Sequence, residues 1–298
     1  MDKDITIVTH NGSFHTDDVF AVATLLLVFK NKPVIARIIR TRDAALIESG
    51  DFVVDVGTIY DEQRERFDHH QIGGAGAREN GVPYAAFGLV WKKYGGLLMS
   101  SPEAVEMIDE TLVQYVDAMD NGTGELTPII AGVVPYSVRE VISSFNPTWD
   151  EEATDDDLRF SEAVNCALQI LEREIKTTES FVKGDMLVRK AYEAAKDKRI
   201  VVLEKNYLWE KVLNQFSEPL FVVEPTTEGW KVYAVKDNPA LFVNRKDLPL
   251  AWAGKRDAEL AGVSGVPDAV FCHNKRFMAV TKSKEGAIAL AQEALKSS

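Results

Sequence analysis

The chain has 298 residues, with 34 lysines and arginines against 46 aspartates and glutamates, five histidines and two cysteines. At about 100–200 residues per domain, that length suits two domains or one large α/β unit, and a content of 46% hydrophobic and 27% charged residues excludes global disorder. A net charge of −12 argues against non-specific binding along a nucleic-acid backbone. It does not argue against an anionic substrate, because divalent metal in an acidic pocket reverses the local sign. Cys166 and Cys272 are too few for a disulfide framework or a cysteine-ligated zinc site. The longest apolar run, Val19 to Phe29, is shorter than the roughly 20 residues a bilayer requires, and the opening MDKDITIVTH has no charged-then-apolar leader. A cytoplasmic location without membrane attachment is expected.

Asp4 to Thr9 reads as a strand, followed by a polar break and an apolar helical stretch from Asp18 to Phe29. Val34 to Ile39 reads as a second strand with an RTRD turn, and Phe52 to Val56 as a third, ended by Gly57. Helices are expected over Tyr84 to Gly95, Pro102 to Met119 and Val138 to Phe145, then a long one over about Leu158 to Lys196 that an acidic run precedes. Beyond it, Arg199 to Glu204, Leu220 to Glu224, Trp230 to Val235 and Ala269 to Cys272 read as strands, with helices near Trp209 to Phe216 and Glu285 to Leu295. The pattern predicts an α/β fold, with a mostly parallel sheet flanked by helices in an N-terminal domain over residues 1–157. A connecting helix over 158–197 and a smaller α+β domain over 198–298 complete it.

Four of the five histidines fall in two short clusters beside acids, THNGSFHTDD and FDHHQ. That concentration points to metal. His10 sits where the first strand should end, His15 and Asp17 in the loop before the next helix, and Asp55 near the end of the third strand, all where a parallel sheet gathers its ligands. An aspartate inside the apolar string FVVDVG is costly to bury without partners, and a cation is a natural one. Asp117 and Asp120 in VDAMDNG share a helical face, with Asp120 the better ligand because it lies at an irregular end. Imidazoles and carboxylates without thiolate suit Mn²⁺, Fe²⁺, Co²⁺ or Zn²⁺ better than Mg²⁺. Such a set can hold two metals about 3.5–4 Å apart that activate water for in-line attack on phosphorus.

The blocks THNGSFHTDD, RTRD, VVDVG, RFDHHQ and VDAMDNG resemble the melanocyte-proliferating-gene family of metal-dependent hydrolases, a relative of the DHH phosphoesterases that include RecJ-type exonucleases and manganese pyrophosphatases. The resemblance continues through VREVISSFNPTW, FVNRKDLPLAWAGKRDAEL and GVPDAVFCHNKRF, nearly the whole chain. It implies a DHH-like catalytic domain and, as metal ligands, His10, His15, Asp17, Asp55, His69 and Asp120, with Asp55 bridging. His70 is then the imidazole facing the scissile phosphate, and Asp68 an acid that orients an imidazole by hydrogen bonding. His15 stands where other DHH enzymes have an aspartate, and HNKRF departs from the small residue or glycine expected before Phe277.

Arg40, Arg42, Arg139, Arg245, His273 and Arg276 are candidate substrate contacts, since guanidinium forks suit phosphate. Of the five tryptophans only Trp252 suggests a cleft wall. The expected function is a metal-dependent phosphoesterase with a pair of Mn²⁺ ions, Mg²⁺, Co²⁺ or Zn²⁺ being substitutes, and family resemblance favours 3′-to-5′ exonuclease action on RNA or short oligonucleotides. Pyrophosphate or nucleotide hydrolysis, amide cleavage, and a non-catalytic metal-binding regulatory protein are the alternatives. The sequence is silent on oligomeric state, so an oligomer stays open.

Overall fold

The computed structural model describes residues 3–123, 132–151, 155–238 and 243–297. It divides into two compact units, Met1–Glu179 and Ser180–Ser298.

In the first unit, β1 (Lys3–Thr9) is followed by α1 (Thr16–Phe29), β2 (Val34–Arg40), α2 (Ala44–Ser49) and β3 (Phe52–Val54). Two short strands, β4 (Tyr60–Asp61) and β5 (Arg66–Phe67), complete a sheet of order β2-β1-β3-β5-β4. All neighbours are parallel except β4 and β5. Because β1, β3 and β5 run the same way, their carboxyl ends lie along one edge, where His10, Asp55 and Asp68–His70 follow directly in the chain. Topology alone assembles most of the site.

Helices α3 (Ala86–Leu98), α4 (Pro102–Ile108), α5 (Gln114–Asp120) and α6 (Val138–Ser143) cover the sheet, with a π-helical turn over Asp109–Val113 before α5. α1 is buried almost all round because it packs on the sheet and also on α3, α5 and α6. That explains its lack of a polar face. Phe20, Phe67, Phe87 and Trp91 are fully buried there, each contributing about 1.5–3 kcal/mol or somewhat more.

The 39-residue α7 (Asp156–Ala194) serves both units. Its first half buries Phe160, Ala163, Val164, Ala167 and Leu171 in the first core, while Val188 and Tyr192 enter a cluster of the second.

The second unit contains β6 (Ile200–Val202), α8 (Glu210–Leu213), β7 (Phe221–Pro225), β8 (Trp230–Ala234), the hairpin β9 (Lys236–Asn238) and β10 (Val243–Asn244), α9 (Asp257–Ser264), β11 (Ala269–Cys272), β12 (Met278–Thr281) and α10 (Lys284–Lys296). Its five-stranded sheet, order β11-β12-β8-β7-β6, is antiparallel except for β6 and β7. Trp252 is 3% exposed in its core, so the expectation of a cleft wall there is corrected. The architecture is mixed α/β with a parallel-rich sheet in the first unit. No helix among the described residues is long and apolar enough to cross a membrane.

Candidate metal centre

His10 follows β1 directly and is 3% exposed. Its Nδ1 lies 3.1 Å from the Asn11 carbonyl oxygen, so a proton held there donates to that carbonyl and leaves the Nε2 lone pair available. Nε2 lies 3.3 Å from both Asp18 Oδ2 and Asp55 Oδ2.

Asp17 and Asp18 occupy the first turn of α1, where acids suit the helix dipole, and both are fully buried. Asp18 Oδ1 accepts the N–H groups of His15 and Val19 at 2.9 and 2.7 Å, which turns Oδ2 toward His10. Asp17 Oδ2 accepts the Ala86 N–H at the start of α3. The loop carrying His15 is fastened from far away, because the Asn146 amide donates to the Phe14 carbonyl and accepts the Phe14 N–H, both at 3.0 Å.

Asp55 leaves β3 in the left-handed region, φ 54°, a conformation aspartate tolerates better than most side chains. This is why the strand stops at Val54 instead of Val56. The turn brings one carboxylate against three imidazoles: Oδ2 is 3.3 Å from His10 Nε2, and Oδ1 is 3.3 Å from His69 Nε2 and 3.4 Å from His70 Nδ1.

After β5, Asp68 is buried and accepts the Thr58 N–H at 2.6 Å through Oδ2 and the His70 N–H at 3.0 Å through Oδ1. The same Oδ1 lies 2.8 Å from His70 Nδ1. The His70 side chain is 56% exposed, held at one edge and open at the other. His69 points inward: its Nε2 lies 3.1 Å from Asp120 Oδ2 at the end of α5 and 3.7 Å from Asp17 Oδ2.

Burial and crowding set the charges. Asp17 is pushed well above the usual carboxylate range by burial and by the charges of Asp55, Asp120 and Asp18. Burial likewise raises Asp18 to about 7, against the lowering effect of His10. Asp55 goes the other way, to about 2: burial opposes this, but the close approach of His10 and His69 prevails. For His69 burial lowers the value, yet Asp120 and Asp55 lift it to about 10. The cluster is therefore frustrated as it stands, with carboxylates competing for too little positive charge.

A cation fits this frustration. Asp17 Oδ1, Asp18 Oδ2, Asp55 Oδ1 and His69 Nε2 are buried and make no well-directed hydrogen bond, which is costly unless something else satisfies them. His69 Nε2 lies near three carboxylates without bonding squarely to any, as donors around a shared ion do. Three triads place their ligand atoms within 4.8 Å: His10, His15 and Asp55; Asp55, His69 and His70; and His15, Asp17 and Asp120. Asp55 belongs to two of them.

The structure thus brings together His10, His15, Asp17, Asp55, Asp68, His69, His70 and Asp120. Asp117 stays out of the cluster. It accepts from Arg78 at 2.8 Å and from the Gly88 N–H at 3.0 Å, so close that a Cβ on Gly88 would lie 1.8 Å from its Oδ2. Arg78 also grips Asp109 with two bonds, fixing α5 and hence Asp120. Asp18 was read in the sequence as one of the acids of the first histidine cluster but given no role, while the roles of Arg78 and Asn146 escaped that reading because both act through partners distant in the chain.

The arginines divide. Arg139 lies on a cleft of about 270 Å³ whose lining includes His15, His70 and Asp120. Arg42 is exposed after β2, with no side-chain partner among the described residues. The buried Arg40 guanidinium bonds the Gly12 and Asp156 carbonyls and Asp157, and lies over the rings of Phe14 and Phe160. Arg245 donates to the backbone carbonyls of Phe216 and Pro219. Arg276 pairs with Asp247 at 2.6 Å. His273 accepts the Lys275 N–H through Nδ1 and lies with its ring 4.4 Å from that of Phe277.

A family model described as an uncharacterised protein family (UPF0160), MYG1_exonuc, matches residues 6–295. The chain belongs to the MYG1 family. The resemblance carried by its His- and Asp-rich blocks is borne out. It is 32% identical to the MYG1 protein C27H6.8 of Caenorhabditis elegans, over 97% of this chain and 94% of that protein. It is 31% identical to the human MYG1 exonuclease, over 97% and 85% respectively. With a MYG1 protein of Schizosaccharomyces pombe it shares 29% identity over 99% of this chain and 98% of the relative.

Proposed function

We propose that this chain is a divalent-metal-dependent phosphodiesterase, acting as a 3′-to-5′ exonuclease on RNA or short oligonucleotides and built on a DHH-type domain over residues 1–157. The observation that carries the reading is the single Asp55 carboxylate set between His10 on one side and His69 and His70 on the other, with orphaned buried oxygens around it. The mammalian relatives bearing the name exonuclease support the reaction class.

In this reading His10, His15, Asp17, Asp55, His69 and Asp120 hold two Mn²⁺ ions, with Mg²⁺, Co²⁺ or Zn²⁺ as substitutes. The ions supply Lewis acidity and an activated water for attack on phosphorus. Asp55 would be the carboxylate held in common, since its two oxygens face different imidazoles. Asp18 and the Asn11 carbonyl orient His10, and Asp68 orients His70. The open edge of His70 faces substrate, where it can bond a phosphate oxygen or move a proton to the leaving oxygen. Residues 158–197 connect to a substrate-binding region over 198–298, where His273 remains a candidate contact.

The test is a time course with short 5′-labelled RNA and purified protein, in Mn²⁺ and in EDTA. Stepwise shortening from the 3′ end in Mn²⁺ alone, abolished in Asp55→Asn, is the expected result. A chain containing Mn²⁺ that leaves RNA and simple phosphodiesters intact ends the reading.

A further inference from the structure

α6 is fastened at both ends to the elements that carry ligands. At its start, Ser137 Oγ bonds the Tyr115 hydroxyl of α5 at 2.5 Å and Glu140 Oε2 at 2.5 Å, and it accepts the Arg139 N–H at 3.2 Å. Beyond its end, Asn146 locks the peptide of Phe14, next to His15. The short helix therefore spans from the Asp120 helix to the His15 loop, and Arg139 lies on the cleft between them.

That cleft has two chemically distinct walls. One is the metal cluster, represented by His15, His70 and Asp120; the other is mostly apolar, with Tyr115, Val116 and Met119. Since its hydroxyl is already bonded to Ser137, Tyr115 has its ring left for contact. Arg139 is the one lysine or arginine in the lining; it is exposed, and its charge acts on the neighbouring Glu140. The volume, about 270 Å³, lies at the small end of ligand pockets, which run about 300–1,000 Å³. A strand does not fit in such a space; one nucleoside does. An inorganic diphosphate would leave the apolar wall without a partner.

We propose that this cleft is a one-nucleotide subsite, in which a single nucleoside lies against Tyr115 and Met119 between one phosphate at the metal cluster and a second phosphate gripped by Arg139. The proposal rests on the phosphodiesterase reading and sharpens it: the ligand class is a nucleoside flanked by phosphates on both sides. Arg139 then measures the spacing between consecutive phosphates and is a specificity-determining residue. Its fork provides two parallel donors to phosphate, which lysine cannot reproduce fully.

The experiment is equilibrium binding of adenosine 3′,5′-bisphosphate and of the two adenosine monophosphates to the full Mn²⁺-loaded chain by calorimetry, with product analysis alongside. The bisphosphate is expected to bind about tenfold or more tightly than either monophosphate. Arg139→Gln should erase that advantage and Arg139→Lys should keep part of it, while the monophosphates give an internal reference for folding. Equal affinities, or an advantage that survives Arg139→Gln, overturn the proposal. If the advantage depends on Arg139 but labelled RNA stays intact, the subsite stands and the exonuclease reading fails. If RNA is shortened while the advantage is absent, the reading stands and the subsite fails.

Discussion

Asp68 Oδ1 lies 2.8 Å from His70 Nδ1 and also accepts the backbone N–H of His70, so one buried carboxylate fixes both the ring and the peptide that carries it. The pairing sets which edge of the imidazole can meet a ligand. Asp68→Asn keeps the shape and changes the group that faces Nδ1. Turnover should fall about 10²–10⁴-fold, the range of a positioned acid–base group, with metal content unchanged by elemental analysis. A loss of metal in step with activity would assign Asp68 to the ions instead.

Asp55→Asn is a clean probe of the shared carboxylate, because asparagine also tolerates the left-handed backbone at this position. The variant should fold and bind fewer metal equivalents, read by elemental analysis after gel filtration. Full retention of metal by a folded Asp55→Asn protein would contradict the bridging role.

pH dependence of the metal-free chain follows from the shifts. His69, raised from 6.5 to about 10, contributes stability that is complete below 6.5 and is lost as pH rises toward 10. Asp18, raised from 3.8 to about 7, adds a penalty that grows across that interval. Asp55, lowered from 3.8 to about 2, contributes above 3.8 and loses its effect as pH falls toward 2. In EDTA the melting temperature should therefore decline from about pH 5.5 to about pH 8.5. Mn²⁺ competes with protons for the same atoms, so the gap between Mn²⁺ and EDTA melting curves should widen over that range. A gap that narrows with rising pH would refute this assignment.

Arg245→Ala separates a structural role from a substrate contact in the second unit. Removing a guanidinium that satisfies the Phe216 and Pro219 carbonyls should cost about 1–3 kcal/mol in urea unfolding. KM for any cleaved oligonucleotide should stay as in the unmodified chain. A raised KM without lost stability would restore the substrate role.

Much of the fold was legible. β1, β2, β7, β8 and β11 lie within a residue of their expected spans, because β-branched runs bounded by polar breaks state a strand locally. β4 and β5, two residues each, carry no periodicity to read. The metal candidates were legible for a different reason: rare residue types cluster in the sequence, and parallel strands place their ends together. The partners of Arg40 and Arg245 were not legible, because an arginine's chemistry is visible in sequence while what it meets after folding is not. Gly12, Phe160 and Asp157 meet Arg40 only after folding.

The amide of Asn146 reaches a peptide 132 positions earlier. A side chain there imitates a neighbouring strand, so the peptide next to His15 is held by a residue just beyond α6. Closing so long a span costs entropy before any contact returns it. The cluster that could hold metal thus includes a loop whose anchor lies far along the chain, and a polypeptide that ends before Asn146 carries the same histidines without that anchor.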